Sequence, residues 1–414
     1  MKMHLKRIGS VAALLAGFVA ISACGGGGGG GSAGSSSGGG GGGGGVSGGA
    51  SETFLYSFGT TGAGDGSSPY AGLVMDSAGN LYGTTENGGL NGTGTVFKIT
   101  PTGSESIVYS FGPSSGTDGQ NPQGGLIIDS AGYLYGTTFD GGANNNGTVF
   151  KMTTAGNEVF LYSFGPNTTA DGKLPAGRLI MDSIGDLWGT TTMGGTGNDG
   201  TVFEINPFGS EAFVYSFTGA SGWHPYDGLI ADASGNFYGT TRDGGSNGTG
   251  VVFKIIPSSH SESVLYSFGA SGSSDAQNPK GCLVRDSAGN FYGTTTAGGA
   301  NSLGTVFKVT SSGTESVLYS FATIPDGDNP IDGMIMDSAG NLYGTTYGGG
   351  AYGQGTVFEI TSAGSESVLY SFGAASNDGS SPYYGSLFRD SSGNLYGTTV
   401  GGGANGIGTV FKIN

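Results

Sequence analysis

Residues 76–85 read DSAGNLYGTT, and near-copies of this decapeptide begin at Asp129, Asp182, Asp232, Asp286, Asp337 and Asp390. Upstream of the first copy, GLVM (72–75) is an apolar run that stops at Asp76, and SAGN supplies a turn. LYGTT is a second strand. A Gly-rich stretch then leads to GTVFKIT (94–100), a turn PTGS (101–104) and ESIVYSF (105–111). β-Branched and aromatic residues fill the runs while Gly, Asn, Pro and Ser fill the connections, so the unit reads as four short strands.

The unit recurs along the chain. The tyrosine of its YSF mark falls at Tyr56, Tyr109, Tyr162, Tyr215, Tyr266, Tyr319 and Tyr370, at intervals of 51 or 53 residues. Four strands at a period near 50 are the mark of β-propeller blades, each stabilised by stacking on its neighbours. The ends show how the ring closes. The body opens with a fourth strand, ETFLYSF (52–58), that has no first three, and finishes with a third strand, GTVFKIN (408–414), that has no fourth. Pairing the two predicts an all-β, seven-bladed propeller of four-stranded blades with no broken sheet edge.

These motifs resemble the GloVer-type tandem repeat, found in bacterial surface or secreted proteins with varied anchoring signals. The matching pieces are DSAGNLYGTT, GG…GTVFKI and ESVLYSF, which cover nearly all of Glu52–Asn414. DSIGDLWGTT at Asp182 is also similar to the repeat of regulator-type propellers. Both resemblances imply a propeller and neither implies a defined activity.

The N-terminus carries a different message. Residues 1–23 have a basic start and an apolar run from Ile8 to about Ile21, which predicts a secretory signal too short to span a membrane. The ending ISAC resembles the lipobox of bacterial lipoproteins, and that resemblance implies cleavage before Cys24 and acylation of it, a stable membrane anchor. Residues 24–50 are then the lipidated cysteine and a Gly/Ser tether with a reach of roughly 28 Å, and residues 51–414 are the propeller. The expected location is the cell envelope, at the outer membrane, with the folded body outside the cytoplasm and membrane contact only through the lipid. Cys282 is the one other cysteine, so no disulfide is expected in a lipidated chain; it takes a glycine position at the start of an inner strand, where a small packed side chain is expected.

Removing the three basic residues of the first 23 takes the formal charge from −16 to −19. So acidic a chain gains nothing from phosphate backbones, which excludes nucleic acid as a partner and favours a soluble monomer. After the signal only His224 and His260 remain, predicted on opposite faces, so neither a two-histidine metal site nor a histidine triad can form. The Gly-rich loops lack the G-K-[ST] of a phosphate cradle, and no cofactor is expected.

Several repeated features read as structural. The seven decapeptide aspartates should bond their own turns. Glu52, Glu105, Glu158, Glu211, Glu262, Glu315 and Glu366 open the fourth strands, and Lys98, Lys151, Lys254, Lys308 and Lys412 lie on the third, which suggests cross-strand ion pairs. DGDN at Asp326 and Asp328 has the oxygen density of a calcium loop without its terminal Glu, and turn formation is the better account.

Variation concentrates elsewhere. The loop from each YSF phenylalanine to the next proline spans 8 to 11 residues, whereas the Gly-rich loop has one length throughout. Both should lie on one face, and binding groups gather on loops held by a rigid scaffold. The residues after the prolines ring the mouth of that face: Tyr70, Gln123, Ala176, Tyr226, Lys280, Ile331 and Tyr383. The shortest loop, SGWHPYDG, brings Trp223, His224, Tyr226 and Asp227 together with Arg242 and Asp243 of the same blade. An aromatic surface beside a charged pair suits a sugar or a peptide. The expectation is a binding module for a protein or polysaccharide. The alternatives are a carbohydrate-active enzyme using carboxylates at the mouth, and a purely structural envelope protein.

Overall fold

The computed structural model describes residues 52–414 except 61, 63, 114–115, 166–170 and 260. The signal, Cys24, the tether and His260 therefore lie outside the described residues. Seven antiparallel blades of four strands follow one another around a central bore, the fifth extended by a loop strand, and the first is built from Val74–Met75, Leu81–Thr85, Thr95–Ile99 and Glu105–Ser110. The seventh joins Phe388–Arg389, Leu395–Thr399 and Thr409–Ile413 to the N-terminal strand Glu52–Ser57, with Glu52 opposite Ile413 and Ser57 opposite Thr409. The ring closes as the two chain ends require.

Repetition of the decapeptide has two physical causes. Asp76 ties the turn: its Oδ1 accepts the amides of Ala78 and Asn80, and its Oδ2 accepts Asn80 Nδ2 and the Tyr82 hydroxyl. Burial alone would raise this carboxyl, but the hydrogen bonds from Asn80 and Tyr82 outweigh it and hold Asp76 below its usual value. The same set recurs at Asp390, and at Asp182 the indole of Trp188 replaces the phenol. The second cause is the glycine of LYGTT. A Cβ on Gly83, Gly136, Gly189, Gly239, Gly293, Gly344 or Gly397 would stand 2.5–2.7 Å from the third-strand phenylalanine ring of its own blade. That ring lies over bare backbone.

The same phenylalanine binds the next seam. Phe58 meets Phe97 edge-on at 5.1 Å, and Phe111–Phe150, Phe164–Phe203, Phe217–Phe253, Phe268–Phe307, Phe321–Phe358 and Phe372–Phe411 repeat the contact around the ring. Each pair adds about 1 kcal/mol beyond its buried area. The core is thus seven inter-blade clusters, such as Tyr82, Val96 and Phe111 packed on Leu126, Leu134 and Phe150.

The expected Lys–Glu pairs do not form. A β-bulge between Val96 and Phe97 shifts the register, so Lys98 faces Ser106 while Glu105 lies opposite Ile99. Lys98 instead lies over the Tyr82 ring at 5.8 Å, and four other blades repeat this cation–π contact. Each glutamate turns into a seam. Tyr162 donates to Asp171 at 2.9 Å and to Glu211 at 3.2 Å, joining the fourth strand of one blade, the following loop and the fourth strand of the next blade. The other oxygen, Oε1, of all seven glutamates is buried without a hydrogen-bond partner. Burial pushes Glu52, Glu105, Glu158, Glu315 and Glu366 up to about 7 and Glu211 up to about 8, and neighbouring aspartates add to it.

A carboxyl whose folded value is raised stabilises the fold while it is protonated. For these glutamates the contribution is complete below about pH 4.5 and fades as the pH rises through about 7. Asp76, Asp232, Asp286 and Asp390, whose carboxyls are held low, act oppositely and lose their contribution only in more acid solution. Thermal unfolding should therefore show its highest Tm near pH 5 and a lower one at pH 8.5, and Glu211→Gln should raise Tm at pH 8.5 but not at pH 5. A Tm flat across this range would contradict the assignment. The seams make a steric prediction as well. A Cβ on Gly177 would stand 2.5 Å from the Asp227 carbonyl carbon of the next blade, whereas one on Gly219 meets nothing within 4 Å. Denaturant melts should show Gly177→Ala costing on the order of 2 kcal/mol and Gly219→Ala little.

Candidate functional site

The long loops and the Gly-rich loops share one face, as expected, because they pair. Gly66–Ser67 lies against Asn87–Gly88, four other blades repeat the pairing as two-stranded ribbons, and Ala276–Pro279 pairs with the extended strand Phe291–Gly298. In the shortest loop the pairing shrinks to a single bridge, Trp223 with Asp243. Most of these loops are pinned by the aspartate of their Asp-Gly pair. Asp326, for example, accepts the Tyr319 hydroxyl at 2.8 Å, the Ala322 amide and the Gly327 amide. Asp326 is thus turn-forming. Among the described residues no group of three or more His, Cys, Asp or Glu side chains converges on a point, the Asp326–Asp328 pair included. Ser221 takes the aspartate's place in the short loop, receiving the Tyr215 hydroxyl at 3.3 Å.

Each loop enters its blade through a residue before proline held at positive φ: Ser68, Asn121, Leu174, His224, Asn278, Asn329 and Ser381, all between 52° and 57°. That conformation is uncommon outside glycine. Two backbone bonds hold it at His224, whose N–H donates to Asp199 O of the preceding blade at 2.9 Å and whose carbonyl accepts from Arg242 N at 3.1 Å. The scaffold thereby places His224, Arg242 and Asp243 together. Asp243 Oδ2 accepts Arg242 Nε at 2.8 Å and Nη2 at 2.7 Å and lies 3.0 Å from His224 Nδ1, while Asn278 approaches Oδ1 at 3.3 Å. Burial would raise this carboxyl, but Arg242 and His224 outweigh it and hold Asp243 low. The Trp223 indole lies against Gly244 of its own blade and remains 39 % exposed, which leaves surface for a ligand.

The aromatic residues form one continuous surface. Arg242 lies over the Tyr226 ring at 5.3 Å and donates to its hydroxyl at 3.3 Å, and Lys280 lies 5.9 Å from the same ring. Tyr70 meets Tyr383 edge-on at 4.8 Å. The link between the two groups is Tyr384, stacked on Tyr70 at 5.5 Å and on Tyr226 at 6.3 Å. It reaches from the seventh blade across the bore to the fourth and caps it. Sequence reasoning passed over Tyr384, although PYYGSL is one residue longer from proline to leucine than the other six segments, which end in leucine or, once, Met334.

Asp227 departs from expectation: it belongs to the bore below the cap. Its Oδ1 accepts the Gly228 amide at 2.6 Å and its Oδ2 accepts the Cys282 amide at 2.7 Å, a bond between blades. The reason is its position two after proline, where the chain has turned inward and glycine is usual. Asp332 holds the same position after Pro330, while Arg178 and, past the inserted residue, Ser386 hold the next one; these residues were overlooked in the sequence, and their departure from glycine was the available signal. Burial pulls Arg178 down to about 10, opposed by the charge of Asp227. Asp332 accepts Gly333 N at 2.6 Å and Ser386 Oγ at 2.9 Å, and burial, with Asp227 nearby, raises its carboxyl well above the usual range. The space among Arg178, Tyr226, Asp227, Tyr384 and Ser386 is about 20 Å³, room for one water. Cys282 is buried at the bore wall, as expected of a small packed side chain.

A closed ring of short repeated blades, a capped bore and one variable aromatic face define a tandem-repeat propeller. The chain belongs to the Gloeobacter/Verrucomicrobia repeat family, whose profile matches residues 27–233 and 224–414. No curated protein matches it. Among solved structures it is similar to the extracellular domain of a putative one-component system from B. thetaiotaomicron, at 12 % identity and a TM-score of 0.51 over 86 % of this chain. The match spans 39 % of that longer protein and shows the fold alone. Looser similarities are to a gluconolactonase of Xanthomonas campestris (16 % identity, TM-score 0.38, 66 % of this chain and 82 % of that one) and to PorZ, a type-IX secretion surface component of Porphyromonas gingivalis (16 %, 0.42, 79 % and 45 %).

The buried charges of the bore make a prediction. Arg178→Met leaves Asp227 without its nearest opposing charge and should cost on the order of 3 kcal/mol in denaturant melts at pH 7. Adding Asp227→Asn should recover much of that loss, whereas additive losses in the double variant would show the two side chains to be uncoupled.

Proposed function

We propose that the protein is a binding module displayed outside the cytoplasm, and that it holds a polysaccharide across the mouth of its long-loop face. The observation that carries this reading is the aromatic surface running from Trp223 and Tyr226 through Tyr384 to Tyr70 and Tyr383. Flat rings over a capped bore offer stacking area for sugars, and the space beneath the cap is too small to take an anchoring side chain of a peptide. The acids of the bore favour binding over hydrolysis, since Asp227 is held by two backbone amides beneath Tyr384.

The proposed display follows from the N-terminal reading: a signal over 1–23, acylation of Cys24 and a tether to residue 50. The strand Glu52–Ser57 begins at the short-turn face and runs toward the loop face, so a tether entering there leaves the mouth pointing away from the membrane. A thioether at Cys24 would exclude that sulfur from any disulfide with Cys282. Mass spectrometry of the mature N-terminal peptide should find diacylglyceryl-Cys24, and a peptide disulfide-linked to Cys282 would contradict it.

Binding is read through Trp223. In the full chain with Trp188→Tyr, which restores the residue of the other six blades, Trp223 is the only tryptophan. Titration with envelope polysaccharide should shift its emission and saturate, and Tyr384→Ala should weaken the interaction at least tenfold. Emission unmoved by any glycan, together with saturable binding of a protein partner, would overturn the polysaccharide reading.

A further inference from the structure

The mouth is electrically divided. On the first two blades stand Glu86 and Asp140; Gln123 donates to Glu86 at 2.9 Å, and burial together with Glu86 raises the Asp140 carboxyl. On the fourth and fifth stand His224, Arg242 and Lys280. This second arc is an exception in a chain of net charge −16. Its one acid, Asp243, is already taken by Arg242, His224 and Asn278. Lys280 is half-buried, forms no salt bridge among the described residues and shares the Tyr226 ring with Arg242. Burial first and the Arg242 charge second pull its ammonium below the usual lysine value, with Asp243 opposing only in part. Two cations gathered on one phenol ring repel each other, and the one anion beside them, Asp243, is bonded to Arg242 and His224 and offsets the Lys280 charge only in part.

Building on the polysaccharide reading above, we infer that Lys280, with Arg242, forms an anion subsite for the carboxylate of a uronic-acid residue stacked on Tyr226. The chemistry fits at three points. The sugar face takes the aromatic platform of Tyr226 and Tyr384. The carboxylate accepts from the Lys280 ammonium and from whichever Arg242 donors Asp243 leaves free, as charge-assisted bonds. Its negative charge also relieves the repulsion built into the empty site, so the affinity includes the removal of a strain that the free protein carries. The acidic pole of Glu86 and Asp140 excludes a second carboxylate from the far side of the mouth, which sets the direction in which an acidic chain crosses it.

The test compares an oligogalacturonate with its methyl ester, of equal length, on the full chain by calorimetry. The acid should bind at least tenfold more tightly than the ester at low ionic strength, and the difference should shrink as salt is raised. Lys280→Met should remove the preference while leaving ester binding unchanged, and should raise Tm because a repelled, half-buried ammonium is gone. A purely structural lysine would instead lower Tm on substitution. Lys280→Arg should restore the acid preference. Equal binding of acid and ester, insensitive to Lys280→Met, overturns the subsite but leaves the polysaccharide reading standing. Failure of both glycans with saturable binding of an acidic peptide overturns the subsite and that reading together.

Discussion

Pairing of the strand Glu52–Ser57 with Thr409–Ile413 is the interaction on which the rest depends. A blade of this chain cannot bury its own faces: each YSF phenylalanine needs the third-strand ring of the next blade, and each seam glutamate needs the tyrosine and loop of its neighbour. Such an arrangement has no stable open form, because the terminal blades would expose one face each. Antiparallel closure by the N-terminal strand supplies the missing neighbour and removes the unpaired edge at once. It also places Glu52, the first described residue, at the turn face.

Around that ring, repetition and variation divide the work. Wherever all seven blades agree, a packing or hydrogen-bond reason is found: aspartate for the turn, glycine under a phenylalanine ring, a threonine hydroxyl reaching the next blade, as Thr294 does to Asp332 O at 2.6 Å. At several positions where one blade disagrees, charge or aromatic surface appears instead. Tyr384 is an insertion, Arg178 and Asp332 replace glycine, and His224 and Trp223 occupy the shortest loop. These departures meet at one end of the bore because the entry to the first strand is where the seven blades come closest together. A symmetric scaffold thereby carries an asymmetric mouth.

Much of this was legible in the primary structure. Period, strand content and the two incomplete ends led to the ring and its closure, and the odd loop around Trp223 led to half of the mouth. The Lys–Glu pairs were misread because a one-residue bulge at Val96–Phe97 is invisible in the pattern yet reverses the face on which Glu105 lies. Asp227 was misplaced because proline-relative position decides whether a side chain meets the mouth or the bore, and that depends on how sharply the loop turns inward. Tyr384 escaped notice because a single inserted residue counts for little in a comparison of loop lengths, although in space it crosses the whole channel.

Closure itself can be measured most directly by native-state hydrogen exchange at the seam of the two termini. If the N-terminal strand completes the seventh blade, the paired amides of Glu52–Ser57 and Thr409–Ile413 exchange together, and as slowly as the third strands of the other six blades. If Glu52–Ser57 exchanges freely while blades one to six stay protected, the ring is open and the closed-propeller account is wrong.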